Sequence, residues 1–121
     1  DMRTPIQYAL TYPDRLPCPS PRLDLTEMRS MNFHSPDLDR FPALRLGHMV
    51  AERGGTAGAV LNAANESAVA MFREGSISFL EITTTVEQVL KRHEWQAAPT
   101  FDDLMRADAW ARDEVLRCTV C

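Results

Sequence analysis

Cys118-Thr119-Val120-Cys121 ends the chain with the spacing of a redox dithiol. Such a pair needs its first cysteine at a helix N-terminus, where the dipole stabilises the thiolate. Here the pair closes a helical run, so a terminal tail is expected and a thiol redox protein is kept only as a rival. The same residues stand where a prenylation box would, but a terminal Cys is not among its usual endings and no basic run precedes it. His34, Asp37 and Asp39 place metal-ligating types close together in "HSPDLDR". That stretch lacks the glycine and distal glutamate of an EF-hand loop and meets no zinc spacing, so a solvated helix start is expected. His48 and His93 fall on separate helices and are read as surface histidines, while Trp95 and Trp110 are read as core or rim anchors. No glycine-rich phosphate loop follows a strand and no nucleophile elbow is present. The expectation is no catalytic residue and no metal ligand in this chain.

Asn62 and Asn65 raise a different question, because they lie in the alanine-rich stretch "GGTAGAVLNAANESAVAMF" at 54–72. At about 100° per residue, Val60, Leu61, Ala64, Ala68, Met71 and Phe72 share one broad arc, and Ala63, Ser67 and Ala70 form a side of small groups. Asn62, Glu66 and Arg73 make a narrow polar wedge. Asn65 falls between Phe72 and Val69, in apolar territory, and is expected to be buried. A buried amide left without partners costs about 1–3 kcal/mol. Asn65, with Asn62 beside it, is therefore expected to tie down a neighbouring loop or helix end; an amide aimed at a ligand is the alternative. A helix so apolar around its circumference belongs at the centre of a bundle.

The elements that must hold these residues are mostly helical. Thr4-Pro5-Ile6-Gln7 predicts a capped helix from Pro5 to about Tyr12, ended by Pro13, after which Pro17, Pro19 and Pro21 keep the chain extended. "RLDL" at 22–25 and "SMNFH" at 30–34 alternate with period two and are the strand candidates, with their sheet partner expected upstream. Ser35-Pro36 opens a short turn, and Pro42 starts a helix to about Arg53 that Gly54-Gly55 closes. Thr56 is expected to cap the next helix and Gly75 to end it. Ser78…Glu81 and Thr84…Glu87 both read as capping boxes, predicting one turn near Phe79 and a separate helix from Thr85 to about His93. "FDDLM" reads as a turn after Pro99, with Asp108 capping a last helix that carries Trp110, Val115 and Leu116. The expected fold is mainly α: an arm over 1–34 with one short helix and one or two short strands, and a C-terminal bundle of four main helices over 35–121.

With 121 residues the chain holds one core, and 45% apolar with 25% charged residues is ordinary globular composition. The formal net charge of −4, with no basic stripe, argues against nucleic acid as a partner. No apolar run approaches the ~20 residues of a membrane span, and "DMRTPIQYAL" has no signal-peptide core. An odd number of cysteines, three, beside six methionines suits a reducing compartment, so a soluble cytoplasmic chain is expected. Asp1 in place of Met, with a helix-start signal three residues on, gives the expectation of a piece of a longer protein.

Three stretches resemble a known family. "DMRTPIQYAL" followed by "YPDRLP", then "NFHSPDLDRFPALRLG", then "GGTAGAVLNAANESAVAMFREGSISFLEI" resemble, in order and spacing, the C-terminal third of 1-deoxy-D-xylulose 5-phosphate reductoisomerase. The likeness covers nearly all of residues 1–117 and leaves out "CTVC". It implies an enzyme that uses NADPH and Mg²⁺ or Mn²⁺ to rearrange and reduce 1-deoxy-D-xylulose 5-phosphate to 2-C-methyl-D-erythritol 4-phosphate, in non-mevalonate isoprenoid synthesis. The implied architecture is a Rossmann-type NADPH domain, a central catalytic and dimerisation domain and a C-terminal helical bundle, in a homodimer. This chain would hold the end of the second domain and all of the third. The metal carboxylates, the phosphate-binding residues and the nucleotide fingerprint would lie upstream, so no cofactor is expected in this chain. The one pocket residue the resemblance carries over is Met2, as a wall of the substrate and nicotinamide region, a place where a polarizable thioether fits. Asn62 and Asn65 fall in the "LNAANE" signature and are taken as structural.

On this reading the chain supports the catalytic domain by packing and has no turnover alone. The rival from another class is a free-standing helical interaction module. Unpaired strands near the N-terminus would favour the first, since an independent module should not leave sheet edges open.

Overall fold

The computed structural model describes residues 1–27 and 30–119, in two compact units, Asp1–Ser35 and Pro36–Cys121. In the first unit, α1 (Arg3–Thr11) starts two residues before the expected position. The Asp1 carboxylate accepts from the Arg3 amide (3.0 Å) and pairs with its guanidinium, so Met2, not Thr4, stands at the cap. Pro5 is tolerated because the amides of a first helical turn have no intrahelical acceptor in any case. Gln7 does not close a capping box; its amide donates to the carbonyls of Leu16 (3.1 Å) and Pro17 (2.7 Å), tying the proline-rich stretch to α1.

The strand candidates are corrected: no strand occurs among the described residues. Within 22–25, the Asp24 carboxylate accepts from both the amide (2.8 Å) and the hydroxyl (2.6 Å) of Thr26, closing a local turn. Short polar side chains that bond to the nearby backbone compete with a ladder, and the period-two pattern is too short to win. The inference from unpaired strand edges to a missing sheet falls with them.

The second unit holds α2 (Pro42–Arg53), α3 (Ala57–Arg73), α4 (Phe79–Arg92) and α5 (Phe101–Thr119). Asp37 organises the entry, accepting from the amides of Asp39 (3.1 Å) and Arg40 (2.9 Å), and Pro42 opens α2. The α3 helix is the hub against which α2, α4 and α5 all pack. It buries Ala57, Val60, Ala63, Ala64 and Ala68; its alanines allow close approach, and the neighbours contribute Leu46, Val50, Val86, Val89, Ala111 and Val115. Gly75 at φ +78 ends α3, donating to the Phe72 carbonyl (3.0 Å) while Ser76 donates to that of Met71 (2.9 Å), the pairing of a Schellman motif.

Two predicted breaks are absent. Ser78 and Glu81 form the expected capping box, but α4 then runs unbroken to Arg92. With no Gly or Pro between, Thr84 bonds back to the Leu80 carbonyl (3.3 Å) instead of starting a new helix. Likewise Thr100 closes the start of α5, just before Phe101: its amide donates to Asp103 (2.8 Å), and the Asp103 amide donates to its hydroxyl (3.2 Å). Asp108 is mid-helix, paired with Arg112 one turn on (2.8 Å).

Candidate functional site

The densest polar constellation lies where the α2–α3 corner meets the α4–α5 loop. Thr56 was expected to cap α3 with its side chain, but it makes no such bond. Its oxygen accepts from the Gln96 amide (3.1 Å) and lies 2.7 Å from His93 Nε2, while its own amide donates to the Gln96 carbonyl (3.1 Å). Trp95 Nε1 adds a bond to the Gly54 carbonyl (3.2 Å). Gly55 is needed here twice over: its φ is +56, and a Cβ would come within 2.1 Å of the Gln96 carbonyl oxygen. His93, read from the sequence as a surface residue, is half-buried with its ring 5.2 Å from that of Trp110. Burial, and then the Arg53 charge, hold its pKa below the usual imidazole value. A neutral imidazole can accept the Thr56 hydroxyl proton, which the Gln96 bond leaves available.

A hydroxyl beside an imidazole is the geometry of an activated nucleophile. Thr56, however, is only 3% exposed and its oxygen is already engaged by Gln96, so no reacting carbonyl can reach it. The cluster is a clasp. It borders a polar cleft of about 400 Å³ in which Asp103, held by Thr100 hydrogen bonds and then by Gln96 and Arg106, has its carboxyl pushed down to about 2. No signal in the sequence pointed to the clasp, because its members come from two loops some forty residues apart.

A second groove, about 450 Å³, runs between α2, α3 and α4 and contains both asparagines. Ala43, Leu46, Leu61 and Val86 form its apolar walls. The burial expected for Asn65 is corrected: Asn65 is exposed and lines this groove, on the α3 face that also bears Gly58, Asn62 and Phe72. Of the apolar arc the wheel drew, Val60, Ala64 and Ala68 are buried and Leu61 and Met71 pack against the core, while Phe72 is exposed; Asn65 sits at the open edge of that arc. Asn62 is exposed too, and donates to Glu66 (3.2 Å), which accepts from Arg112 (2.8 Å). That Arg112 bond, and then the Asn62 one, lower the Glu66 pKa. The groove thus offers apolar walls, two amides and the Thr83 hydroxyl, with no titratable acid or base among its lining residues.

The other sequence candidates do not converge. Met2 is exposed beside α1 and lines none of the clefts described. His34 is exposed, and Asp37 serves the turn before α2. His48 is exposed, as expected. Cys118 is half-buried with Arg92 donating to its sulfur (3.3 Å), and the pair it would form with Cys121 lies outside the described residues. Among the described residues no three His, Cys, Asp or Glu could hold a metal ion. The Gly54-Gly55-Thr56 approach to α3 is occupied by Trp95 and Gln96, so it does not fit a nucleotide phosphate. No described helix is long and apolar enough to cross a membrane.

Known proteins match this arrangement closely. The DXP reductoisomerase C-terminal domain matches residues 1–114. The 1-deoxy-D-xylulose 5-phosphate reductoisomerase of Rhodopirellula baltica is 54% identical over 112 residues, covering 93% of this chain and 25% of that protein. The Nostoc punctiforme enzyme is 46% identical over 121 residues, covering 98% and 30%. Among solved structures, the Zymomonas mobilis reductoisomerase in complex with NADPH has a TM-score of 0.85 at 40% identity, covering 100% of this chain and 32% of that one. A DOX-P reductoisomerase with NADPH, fosmidomycin and magnesium gives 0.78 at 30% identity, covering 98% and 31%. The chain thus spans about a quarter to a third of the length of these relatives. With a match running through nearly all of its residues, the chain belongs to the DXP reductoisomerase C-terminal domain family.

Proposed function

We propose that the chain is the C-terminal helical bundle, preceded by the end of the catalytic domain, of an NADPH- and Mg²⁺- or Mn²⁺-dependent reductoisomerase. The reaction is conversion of 1-deoxy-D-xylulose 5-phosphate to 2-C-methyl-D-erythritol 4-phosphate, and the enzyme is a cytoplasmic homodimer. The family match over residues 1–114 carries this reading. The bundle contributes by packing against the catalytic region. Asn62 and Asn65 are structural, and Met2 is a wall of the substrate pocket. Among the described residues no three His, Cys, Asp or Glu are grouped to hold a metal ion, and no step of the reaction is routed through a metal or a dinucleotide here.

The test is direct. NADPH absorbance is followed with purified chain, 1-deoxy-D-xylulose 5-phosphate and Mg²⁺ or Mn²⁺. No oxidation above background is expected, and turnover by the 121 residues alone would overturn the structural role. The same residues placed in the position they match in the Rhodopirellula baltica enzyme should support turnover; an inactive graft would favour a free-standing module.

A further inference from the structure

We infer that the open apolar face formed by α3 and the N-terminal ends of α2 and α4 is the seat of the catalytic part of the reductoisomerase polypeptide; this rests on the functional reading above. Phe41, Leu44, Phe79 and Leu80, exposed at 53%, 47%, 70% and 79%, line one groove of about 340 Å³ with Ala43 and Thr83. The same Ala43 and Thr83 line the groove that holds Asn62 and Asn65, so the two are continuous. Phe72 extends the surface, its ring 5.8 Å from that of Phe79 in an edge contact. Arg40 is the only charged residue among those lining the two grooves, and the Glu66–Arg112 ion pair borders the face through the bond that Asn62 donates to Glu66.

A contiguous apolar patch of this kind on one side of an otherwise charged domain marks an interaction surface. Its occupant follows from chain length and direction. The matched domain is C-terminal and the relatives are three to four times longer, so most of such a polypeptide precedes this bundle. Pro42, the first residue of α2, lies in the face itself, so the chain reaches the bundle at this surface. The exposed amides of Asn62 and Asn65 then serve as rim groups that bond to the seated region. That is what a wheel with an apolar face and an amide on it asks for.

Hydroxyl-radical footprinting compares the isolated chain with the Rhodopirellula baltica graft. Phe41, Leu44, Phe79 and Leu80 should oxidise several-fold more slowly in the graft, while Phe101 and Met105, exposed on α5, should not change. Equal oxidation of Phe79 and Leu80 in both would overturn the inference, even if the graft turns over. Protection in a graft without turnover would uphold the seat and count against the functional reading alone. As a second measure, the Leu44→Asp/Leu80→Asp pair should leave the isolated chain's melting temperature within a few degrees and lower that of the graft clearly. A graft melting unchanged would also overturn it.

Discussion

Thr56 and His93 show how a residue's task is set by its neighbours and not by its position in a helix. Thr56→Val keeps the shape but removes the hydroxyl, leaving the Gln96 amide and His93 Nε2 without their partner in a place that is 3% exposed. The expected loss is about 1–3 kcal/mol in denaturant unfolding. A change below about 0.5 kcal/mol, the range of ordinary surface substitutions, would show that the clasp carries no load. His93 adds a pH signature. Its folded pKa lies below the unfolded value of 6.5, so below 6.5 the unfolded chain takes up the proton first and stability falls as pH falls towards the folded value. The carboxylates lowered by their partners, Glu66, Asp103 and Glu114, lose their contribution only in the more acidic carboxylate range. Melting temperature should therefore drop in two steps on acidification, and His93→Gln should remove the first step alone. The half-buried state of His93 was not legible in sequence because its cover, Thr56 and Trp110, comes from other elements. Asn65 was misread for the opposite reason: the wheel shows which face is apolar and says nothing of whether this chain covers it. Because Asn65 is exposed, Asn65→Leu should change the isolated chain's stability by no more than about 0.5 kcal/mol in denaturant unfolding.

At the level of elements, the helices follow from signals that each do one physical job, and the errors came from counting a signal where a stronger one prevailed. Pro42 and Gly54 set both ends of α2 as read, because a missing donor and a positive φ leave few alternatives. Thr84…Glu87 and Asp108 also look like starts, but a start requires a preceding stop, and no Gly or Pro supplies one. The glycines allow a graded test of what closes the helices. Gly75→Ala meets open space and pays only for a left-handed backbone, about 1–2 kcal/mol. Gly55→Ala carries the same backbone term and also a clash with the Gln96 carbonyl, so it should destabilise clearly more. Equal losses in thermal melts would mean that the corner yields freely. The hub can be probed in the same way. Ala63 and Ala111 are fully buried, and enlarging either to Leu should cost about 1–3 kcal/mol by overpacking.

For the whole molecule, the deciding question is which force assembles the bundle. Its surface is laced with ion pairs, including Arg112 with Asp108 and Glu66, Arg92 and Arg117 with Glu114, and Arg45 and Lys91 with Glu87. In every one the cation is at least 41% exposed, and pairs exposed on both sides contribute about 0–1 kcal/mol each; Glu114, its side chain 9% exposed, is the sheltered anion among them. The interior of α3 with its neighbours is built mainly of aliphatic and alanine side chains, whose burial is indifferent to ionic screening, with Thr56, Thr85 and Glu114 as buried polar residues. Raising NaCl to about 1 M contracts the screening length to about 3 Å. If apolar burial dominates, the unfolding free energy of the isolated chain should then shift by no more than about 1 kcal/mol, while a loss of several would move the cohesion to the charged surface. The same measurement bears on the open face. A bundle held by apolar contact on three sides of α3 has no different force with which to bind on the fourth. Association of the grafted chain's upstream region with that face should therefore also survive high salt.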